Sequence, residues 1–281
     1  MKYGCCIHPD FIKSEEKYLS LFKTLAQAGF DYVELPFFTL SQLTNDELEK
    51  LKNALQVIPC KACNVFFPPG LTLVGPEMDM KGIRTYLERM LPLAADLSVE
   101  TLVFGNGGAR RIPEEQDPTA IWDDLCKIVE EMEIHAKKEG ITIAVEPLNT
   151  TETNMITSYS EAVRLTEGLV HVTAMIDSYH TAVNGQTYDD VYMYPKSLGH
   201  LHTAYPTGRM VPSPQDDMSL YADFVKMVKD MGYRGKISVE GALRSIESVA
   251  IAAEYKACID TLKHLLGDCE KQKRKAVAHG I

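Results

Sequence analysis

Four segments of the chain end in a side chain that can bind a cation. Each segment is a short apolar run followed by a polar loop, and the four end residues are Glu146, Asp177, His202 and Glu240. Successive members of this set are separated by 31, 25 and 38 residues, each about the length of one strand–helix–strand unit. The spacing indicates that the four residues belong to four consecutive units of one repeating architecture.

These residue types point to a divalent metal site. Three carboxylates and one imidazole supply the oxygen and nitrogen ligands that such ions bind. Carboxylates that converge in a protein interior without a cation repel one another and cannot all stay ionised, and a bound metal removes that difficulty. Taken singly, each residue has another interpretation, because a carboxylate at the end of a strand is often solvated or caps the next helix. His200 and His202 lie on the same side of their strand, and one of them could be only a hydrogen-bonded core residue.

The elements that must position these residues are strands followed by helices. In the run 141–146 an apolar, β-branched segment stops at Glu146, because Pro147 removes a backbone donor and favours an extended residue before it. Similar runs predict strands at 3–7, 31–34, 61–67, 101–104, 141–146, 173–177, 198–202 and 236–240. Helical periodicity and capping residues predict helices at 14–29, 44–55, 81–97, 118–138, 160–169, 220–231 and 245–266.

Eight strands in regular alternation with helices, without a break in composition, predict one (β/α)8 TIM barrel of the α/β class over residues 1–267. A polar, basic tail is predicted at 268–281, with Lys271, Lys273, Arg274 and Lys275. A doubly wound open sheet would be expected to have a glycine-rich turn after its first strand, and the segment 5–10 contains no glycine. In a parallel barrel all strand carboxyl ends open on one face, so the four candidate ligands are expected to converge there.

Composition limits the partners that the protein can have. The formal net charge is −10, from 29 Lys+Arg and 39 Asp+Glu, and this argues against a nucleic-acid partner, since a phosphate backbone requires a basic face. No apolar run reaches membrane-spanning length and no signal-peptide pattern is present, so we expect a cytoplasmic protein with no membrane partner. The seven cysteines are then expected to be reduced thiols. Cys60 and Cys63 form a CxxC motif on a predicted strand, which favours core packing over zinc or redox chemistry.

Several motifs carry a resemblance to a known family. They are Glu146-Pro-Leu-Asn149 with Glu152, Asp177-Ser-Tyr-His180, Gly199-His-Leu-His-Thr203 with Arg209, and Gly232-Tyr-Arg-Gly235 before Glu240. Over essentially its whole length the chain resembles the xylose isomerase-like TIM barrel superfamily, and within it most closely the ketose 3-epimerases, the D-tagatose and D-psicose 3-epimerase group. The resemblance implies one divalent metal ion (Mn²⁺ first, with Co²⁺, Mg²⁺ or Zn²⁺ as alternatives) bound by Glu146, Asp177, His202 and Glu240. It also implies that Glu152, His180 and Arg209 bind the sugar substrate.

The resemblance further implies a reaction. Glu146 and Glu240 are the expected catalytic pair: one removes the proton beside the carbonyl of a ketose, and the other returns a proton to the opposite face of a metal-bound enediolate. The expected outcome is C3 epimerisation of a small-molecule sugar or polyol, by an enzyme that could be a homo-oligomer. The same site would support an aldose–ketose isomerase or an inosose dehydratase-type lyase. A metal-free sugar-binding barrel is the alternative without catalysis, whereas an endonuclease IV-like enzyme would need more histidines and a basic groove.

Four features leave the substrate open. Thr150 stands where ketose 3-epimerases usually have an arginine, and the loop before Arg209 is one residue longer than theirs and lacks their acidic residue. The loop 105–111, Gly-Asn-Gly-Gly-Ala-Arg-Arg, could hold a phosphate on its backbone amides and arginines, or could simply make a tight turn, and the turn is favoured. Glu34 and His8 also end predicted strands on the active face, where either could line the pocket.

Overall fold

Eight parallel strands form a closed barrel. The structure, a computed structural model, describes residues 1–112, 116–245 and 247–267. The strands follow one another around the barrel in chain order as β1 (Lys2–Cys6), β2 (Tyr32–Pro36), β3 (Cys60–Asn64), β4 (Thr101–Phe104), β5 (Thr142–Val145), β6 (Val172–Asp177), β7 (Leu198–Thr203) and β8 (Lys236–Val239). The ring closes where β1 pairs with β8, from Lys2 opposite Lys236 to Cys5 opposite Val239. The predicted (β/α)8 architecture is confirmed.

Helices follow the strands along the chain. Those in the described residues are α1 (Pro9–Ile12), α2 (Glu15–Ala28), α3 (Phe37–Leu40), α4 (Asn45–Ala54), α5 (Met80–Asp96), α6 (Pro118–Glu139), α7 (Tyr159–Leu165), α8 (Ser178–Val183), α9 (Asp189–Met193), α10 (Ala222–Asp230) and α11 (Ser248–Leu266). Sequence signals at their ends act as expected. Thr44 and Glu47 form a capping box at the start of α4, and Gly29 and Gly140 end α2 and α6 with positive φ. The short helices α1, α3, α8 and α9 were not predicted.

Some predicted boundaries were wrong by a few residues. The third strand was expected to continue to residue 67 but ends at Asn64, because Val65 has φ 45°, a left-handed conformation that breaks an extended strand. The helix predicted at 160–169 ends at Leu165. There the hydroxyl of Thr166 donates to the backbone carbonyl three residues earlier, which competes with continuation of the helix.

The interior of the barrel contains a buried hydroxyl as well as apolar side chains. A separate cluster of buried apolar side chains consists of Val103, Ala144 and Met175. The ring of Tyr32 is also fully buried, and its hydroxyl lies 2.8 Å from the Oγ of Ser238. A Cβ at Gly4, which is paired with Tyr32, would lie 2.2 Å from that ring. The glycine therefore makes room for the tyrosine, and a hydroxyl is available inside the barrel beside the functional site.

Two expectations concern the rest of the molecule. The basic tail predicted at 268–281, with Lys271, Lys273, Arg274 and Lys275, lies outside the described residues and stays a prediction. Within the described ranges, none of the helices combines the length and the apolar character needed to cross a membrane.

Candidate metal centre at the carboxyl ends of the strands

The four candidate ligands meet at the carboxyl ends of β5 to β8. Glu146 follows the last residue of β5, Asp177 ends β6, His202 lies in β7 and Glu240 follows β8. One ligand atom from each residue lies within 4.8 Å of the ligand atoms of the other three. Parallel strands of a barrel open on one face, which is why residues so far apart in sequence come together.

The geometry of the group fits a divalent cation. Among the described residues, Glu146 Oε1, Asp177 Oδ2 and His202 Nδ1 are buried and have no hydrogen-bond partner. His202 Nδ1 lies 3.2 Å from Glu146 Oε1 and 2.8 Å from Glu240 Oε2. Buried polar atoms without partners are costly, and a cation among them would satisfy all of them at once. Three carboxylates and one imidazole suit Mn²⁺, Co²⁺ or Mg²⁺, although their role as ligands stays a prediction.

Glu34 fixes the orientation of the imidazole of His202. The Nε2 atom of His202 lies 2.9 Å from Glu34 Oε1, and both side chains are fully buried. Burial alone would raise the pKa of Glu34, but the imidazoles of His202 and His200 hold it below its usual value, so Glu34 is a carboxylate. A carboxylate can only accept, so Nε2 donates to Glu34 and Nδ1 is the ring nitrogen that faces the other candidate ligands, where it could bind a cation once it has lost its proton. This is the arrangement in which a carboxylate orients a metal-binding histidine.

The same carboxylate holds two further donors. Glu34 Oε2 lies 3.0 Å from Nε2 of His200 and accepts a hydrogen bond of 2.5 Å from the Oγ of Ser238. Glu34 therefore lies beneath the four candidate ligands and does not line the pocket, and sequence reasoning did not find this role. The alternation in His200-Leu-His202 was a usable signal, because two buried imidazoles on one side of a strand each need an acceptor and one carboxylate can serve both. His8, the other residue left open, is exposed, and its ring accepts a hydrogen bond from the backbone of Asp10.

The carboxylates of the candidate metal centre stabilise one additional positive charge among them. Burial disfavours the charged form of His202, but Glu34 and Glu240 raise its pKa well above the usual value. Burial raises the pKa of Asp177, and the carboxylates of Glu240 and Glu146 raise it further. Although partial burial disfavours the charged form of Glu240, the charges of His202 and Arg209 hold its pKa below the usual value. The site therefore binds a proton readily and offers the same environment to a metal ion.

The three expected sugar contacts surround the same mouth. His180 Nε2 lies 3.6 Å from Asp177 Oδ2, and Arg209 Nη2 lies 3.2 Å from Glu240 Oε2. Arg209 Nη1 lies 3.7 Å from Glu152 Oε1, and its guanidinium is over the ring of Tyr179, 4.9 Å from the centroid. The structure thus brings Glu152, His180 and Arg209 together with the four candidate ligands. Their contact with a sugar stays a prediction.

The loop at 105–111 supports Glu146 from the neighbouring strand. A Cβ at Gly105 would lie 1.9 Å from Glu146 Oε2, so the glycine leaves the space that the carboxylate occupies. Arg110 is fully buried and donates to the backbone carbonyls of Phe104 at 3.1 Å and Glu146 at 2.5 Å. Arg111 donates to another backbone carbonyl at 2.9 Å. Both guanidinium groups are engaged within the protein, and this agrees with the favoured interpretation of the segment as a turn.

The described cysteines near the candidate metal centre do not complete a second metal site. Cys6, Glu34 and His202 also bring potential ligand atoms together, and Cys6 Sγ lies 3.9 Å from His202 Nε2. However, that nitrogen already donates to Glu34, and burial raises the pKa of the Cys6 thiol, which keeps it protonated. Cys60 and Cys63 are buried with sulfur atoms 3.8 Å apart, as expected for residues that pack in the core.

Comparisons with known proteins agree with the architecture. A family profile described as a xylose isomerase-like TIM barrel matches residues 22–264 of the chain. Among curated proteins, none matches its sequence.

Solved structures resemble the whole barrel. The D-psicose 3-epimerase of Clostridium cellulolyticum, solved with D-tagatose, is 19% identical with a TM-score of 0.79, over 95% of this chain and 100% of that one. The 3-keto-D-glucoside 4-epimerase of E. coli is 22% identical with a TM-score of 0.75, over 94% and 99%. A family 2 AP endonuclease of Brucella melitensis is 21% identical with a TM-score of 0.72, over 90% and 98%. At these identities the likeness establishes the fold.

Proposed function

We propose that this chain, which belongs to the xylose isomerase-like TIM barrel family, is a divalent-metal-dependent sugar epimerase that inverts C3 of a ketose. One observation carries the proposal: the carboxylates of Glu146 and Glu240 flank the same ring nitrogen, His202 Nδ1, at 3.2 and 2.8 Å. Two carboxylates that reach one reacting carbon from different strands can remove a proton on one face and return it on the other, which inversion requires. Two of the solved structures described above are of a sugar 3-epimerase and a sugar 4-epimerase.

The protein side chains divide the reaction among them. A bound divalent cation would supply Lewis-acid polarisation of the ketose carbonyl, which makes the neighbouring C–H bond more acidic. Either Glu146 or Glu240 removes the C3 proton as a general base, and the other protonates the planar carbon from the opposite side. Arg209, half-exposed at the mouth, donates to sugar oxygens, and Glu152 accepts from a sugar hydroxyl.

An uncharged sugar fits this site better than a sugar phosphate. Of the two arginines in the loop at 105–111, Arg110 is fully buried, and both donate to backbone carbonyls that hold the turn. Arg209 lies within 3.2 to 3.7 Å of the carboxylates of Glu240, Asp177 and Glu152, which neutralise it. With its charge matched in this way, the guanidinium of Arg209 suits neutral sugar hydroxyls better than a dianion.

Other reactions on the same site are separated by where the proton goes. Return of the proton to a neighbouring carbon would make the protein an aldose–ketose isomerase, and loss of a β-hydroxyl would make it a dehydratase-type lyase. Inversion at C3 and dependence on a divalent metal therefore need separate tests. A metal-free sugar-binding barrel would exchange no carbon-bound proton at all.

The test is solvent-deuterium incorporation across a panel of free ketoses with purified protein and added Mn²⁺, followed by NMR. Deuterium at C3 with inversion supports epimerisation, deuterium at C1 or C2 supports isomerisation, and net loss of water supports the lyase. Glu146→Gln and Glu240→Gln should each abolish turnover, and metal analysis of both variants separates loss of the base from loss of the ion. If no ketose exchanges a proton with any added divalent metal, the proposed function is wrong.

A further inference from the structure

Asn149 has a buried amide whose two ends point to different partners. Its oxygen Oδ1 accepts hydrogen bonds from the backbone N–H of Thr151 at 3.0 Å, the hydroxyl of Thr151 at 2.5 Å and the backbone N–H of Glu152 at 3.2 Å. Three donors around one atom identify it as the oxygen, so the NH₂ group must face the other way. The orientation of the amide is therefore set by its own loop.

The NH₂ group of Asn149 faces two of the proposed sugar contacts. Nδ2 donates to Glu152 Oε1 at 2.8 Å and lies 2.9 Å from Nδ1 of His180. The backbone N–H of Asn149 also points at this Nδ1, at 3.3 Å. Two N–H donors directed at one ring nitrogen require that the nitrogen carries a lone pair, and a neutral imidazole then has its hydrogen on Nε2.

The hydrogen on His180 Nε2 is directed toward the site. Nε2 is buried, has no hydrogen-bond partner among the described residues, and lies 3.6 Å from Asp177 Oδ2. We infer that Asn149 is a positioning residue. It holds His180 as a hydrogen-bond donor and Glu152 as an acceptor, so that the pair recognises two oxygens of a polyhydroxylated substrate, one that accepts and one that donates.

This inference rests on the proposed function for its substrate, but the orientation of the two side chains can be measured without substrate. A merely structural Asn149 would need only its Oδ1 contacts, which close the turn at 149–152. The contacts of Nδ2 are additional, and together with the backbone N–H of Asn149 they determine which nitrogen of His180 carries the hydrogen.

The discriminating substitution is Asn149→Asp, which keeps the shape and the Oδ1 contacts but replaces the NH₂ donor with an acceptor. In the metal-free protein labelled with ¹⁵N-histidine, Nδ1 of His180 should give the signal of an unprotonated ring nitrogen. In Asn149→Asp it should become protonated, and His180→Gln assigns the signal among the eight histidines. With the best ketose found above, kcat/KM should fall roughly 10- to 100-fold, as expected when a hydrogen bond to substrate is lost.

Thr151→Ala is the matched control, because it removes one contact of Asn149 Oδ1 and leaves the NH₂ group in place. It should leave the His180 signals where they are and change kcat/KM by less than about threefold. A parent protein with the hydrogen on Nδ1 of His180, or an Asn149→Asp variant with unchanged His180 signals, would overturn the inference. If the parent converts no ketose, the proposed function fails, whereas the nitrogen signals still decide whether Asn149 orients His180.

Discussion

Glu34→Gln tests how the candidate metal centre is held in place. The glutamate is fully buried, and three donors converge on it: Nε2 of His202 at 2.9 Å, Nε2 of His200 at 3.0 Å and Oγ of Ser238 at 2.5 Å. Glutamine has nearly the same shape but offers one oxygen and one NH₂ group. At least one donor must then face another donor, and His202 loses the carboxylate that fixes its hydrogen on Nε2.

The expected effects are large enough to measure separately. A hydrogen bond to a buried charged group contributes about 1.5–3 kcal/mol, and an unpaired donor adds a penalty, so we expect the free energy of unfolding of the metal-free protein to fall by about 3 kcal/mol. Loss of the group that orients a metal-binding histidine typically weakens metal binding roughly 10- to 100-fold, which corresponds to about 1.4–2.7 kcal/mol.

The assay combines Mn²⁺ titration calorimetry with urea unfolding of the metal-stripped protein at pH 7. The imidazoles lower the pKa of Glu34 in the folded protein, so its stabilising contribution is complete above about pH 4.3, the pKa of an unfolded glutamate, and is lost as the pH falls further. The stability gap between the parent and Glu34→Gln should therefore narrow below about pH 4.

Glu49→Gln, an exposed glutamate on α4, is the control and should change neither quantity. A Glu34→Gln protein that binds Mn²⁺ within twofold of the parent would refute the reasoning that Glu34 orients His202. Failure of the parent itself to bind Mn²⁺, Co²⁺ or Mg²⁺ would instead remove the metal from the proposed function.

Three further predictions use other parts of the site. Glu34 and Glu240 raise the pKa of His202 well above 6.5 in the metal-free protein, so a proton competes with the metal for this side chain. The Mn²⁺ affinity should therefore increase as pH rises above about 6.5, and calorimetry in buffers of different ionisation enthalpy should measure the released proton. Gly105→Ala should weaken Mn²⁺ binding roughly tenfold or more, since its Cβ would lie 1.9 Å from Glu146 Oε2, whereas Gly108→Ala, with open space around its Cβ, should bind as the parent does. Val65→Asn should raise the free energy of unfolding by about 1 kcal/mol and the Tm by roughly 2–4 °C, because asparagine tolerates φ 45° better than a β-branched residue. A lower Tm of the variant would show that the backbone of Val65 is not strained.

The barrel and the convergence of its four acidic and imidazole groups followed from local signals. Apolar, β-branched strand runs, helix caps such as the Thr44–Glu47 box, and the stop imposed by Pro147 all act within a few residues, so they can be recognised in the sequence alone. The spacing of the four candidate ligands added the architecture, because one strand–helix unit has a nearly constant length.

The parts that were not predicted depend on contacts across the barrel. Nothing near Glu34 in the sequence distinguishes a carboxylate that supports a histidine on β7 from one that lines the mouth. The buried guanidinium of Arg110 is similar, since only the fold places the backbone carbonyl of Glu146 within 2.5 Å of it. The strand end at Asn64 was missed because a valine with positive φ has no compositional marker.

The candidate metal centre is complete only when β1 pairs with β8 and closes the barrel. Glu34, which orients His202, comes from the second strand, whereas the four candidate ligands come from the fifth to the eighth. A cut before Lys236 separates Glu240 from Glu34 and from the other three candidate ligands. An N-terminal fragment ending before Lys236 and its complement should each bind Mn²⁺ poorly, and tight binding should return only on reassembly. Uptake of the ion would then serve as a reporter of ring closure during folding, read out without any sugar.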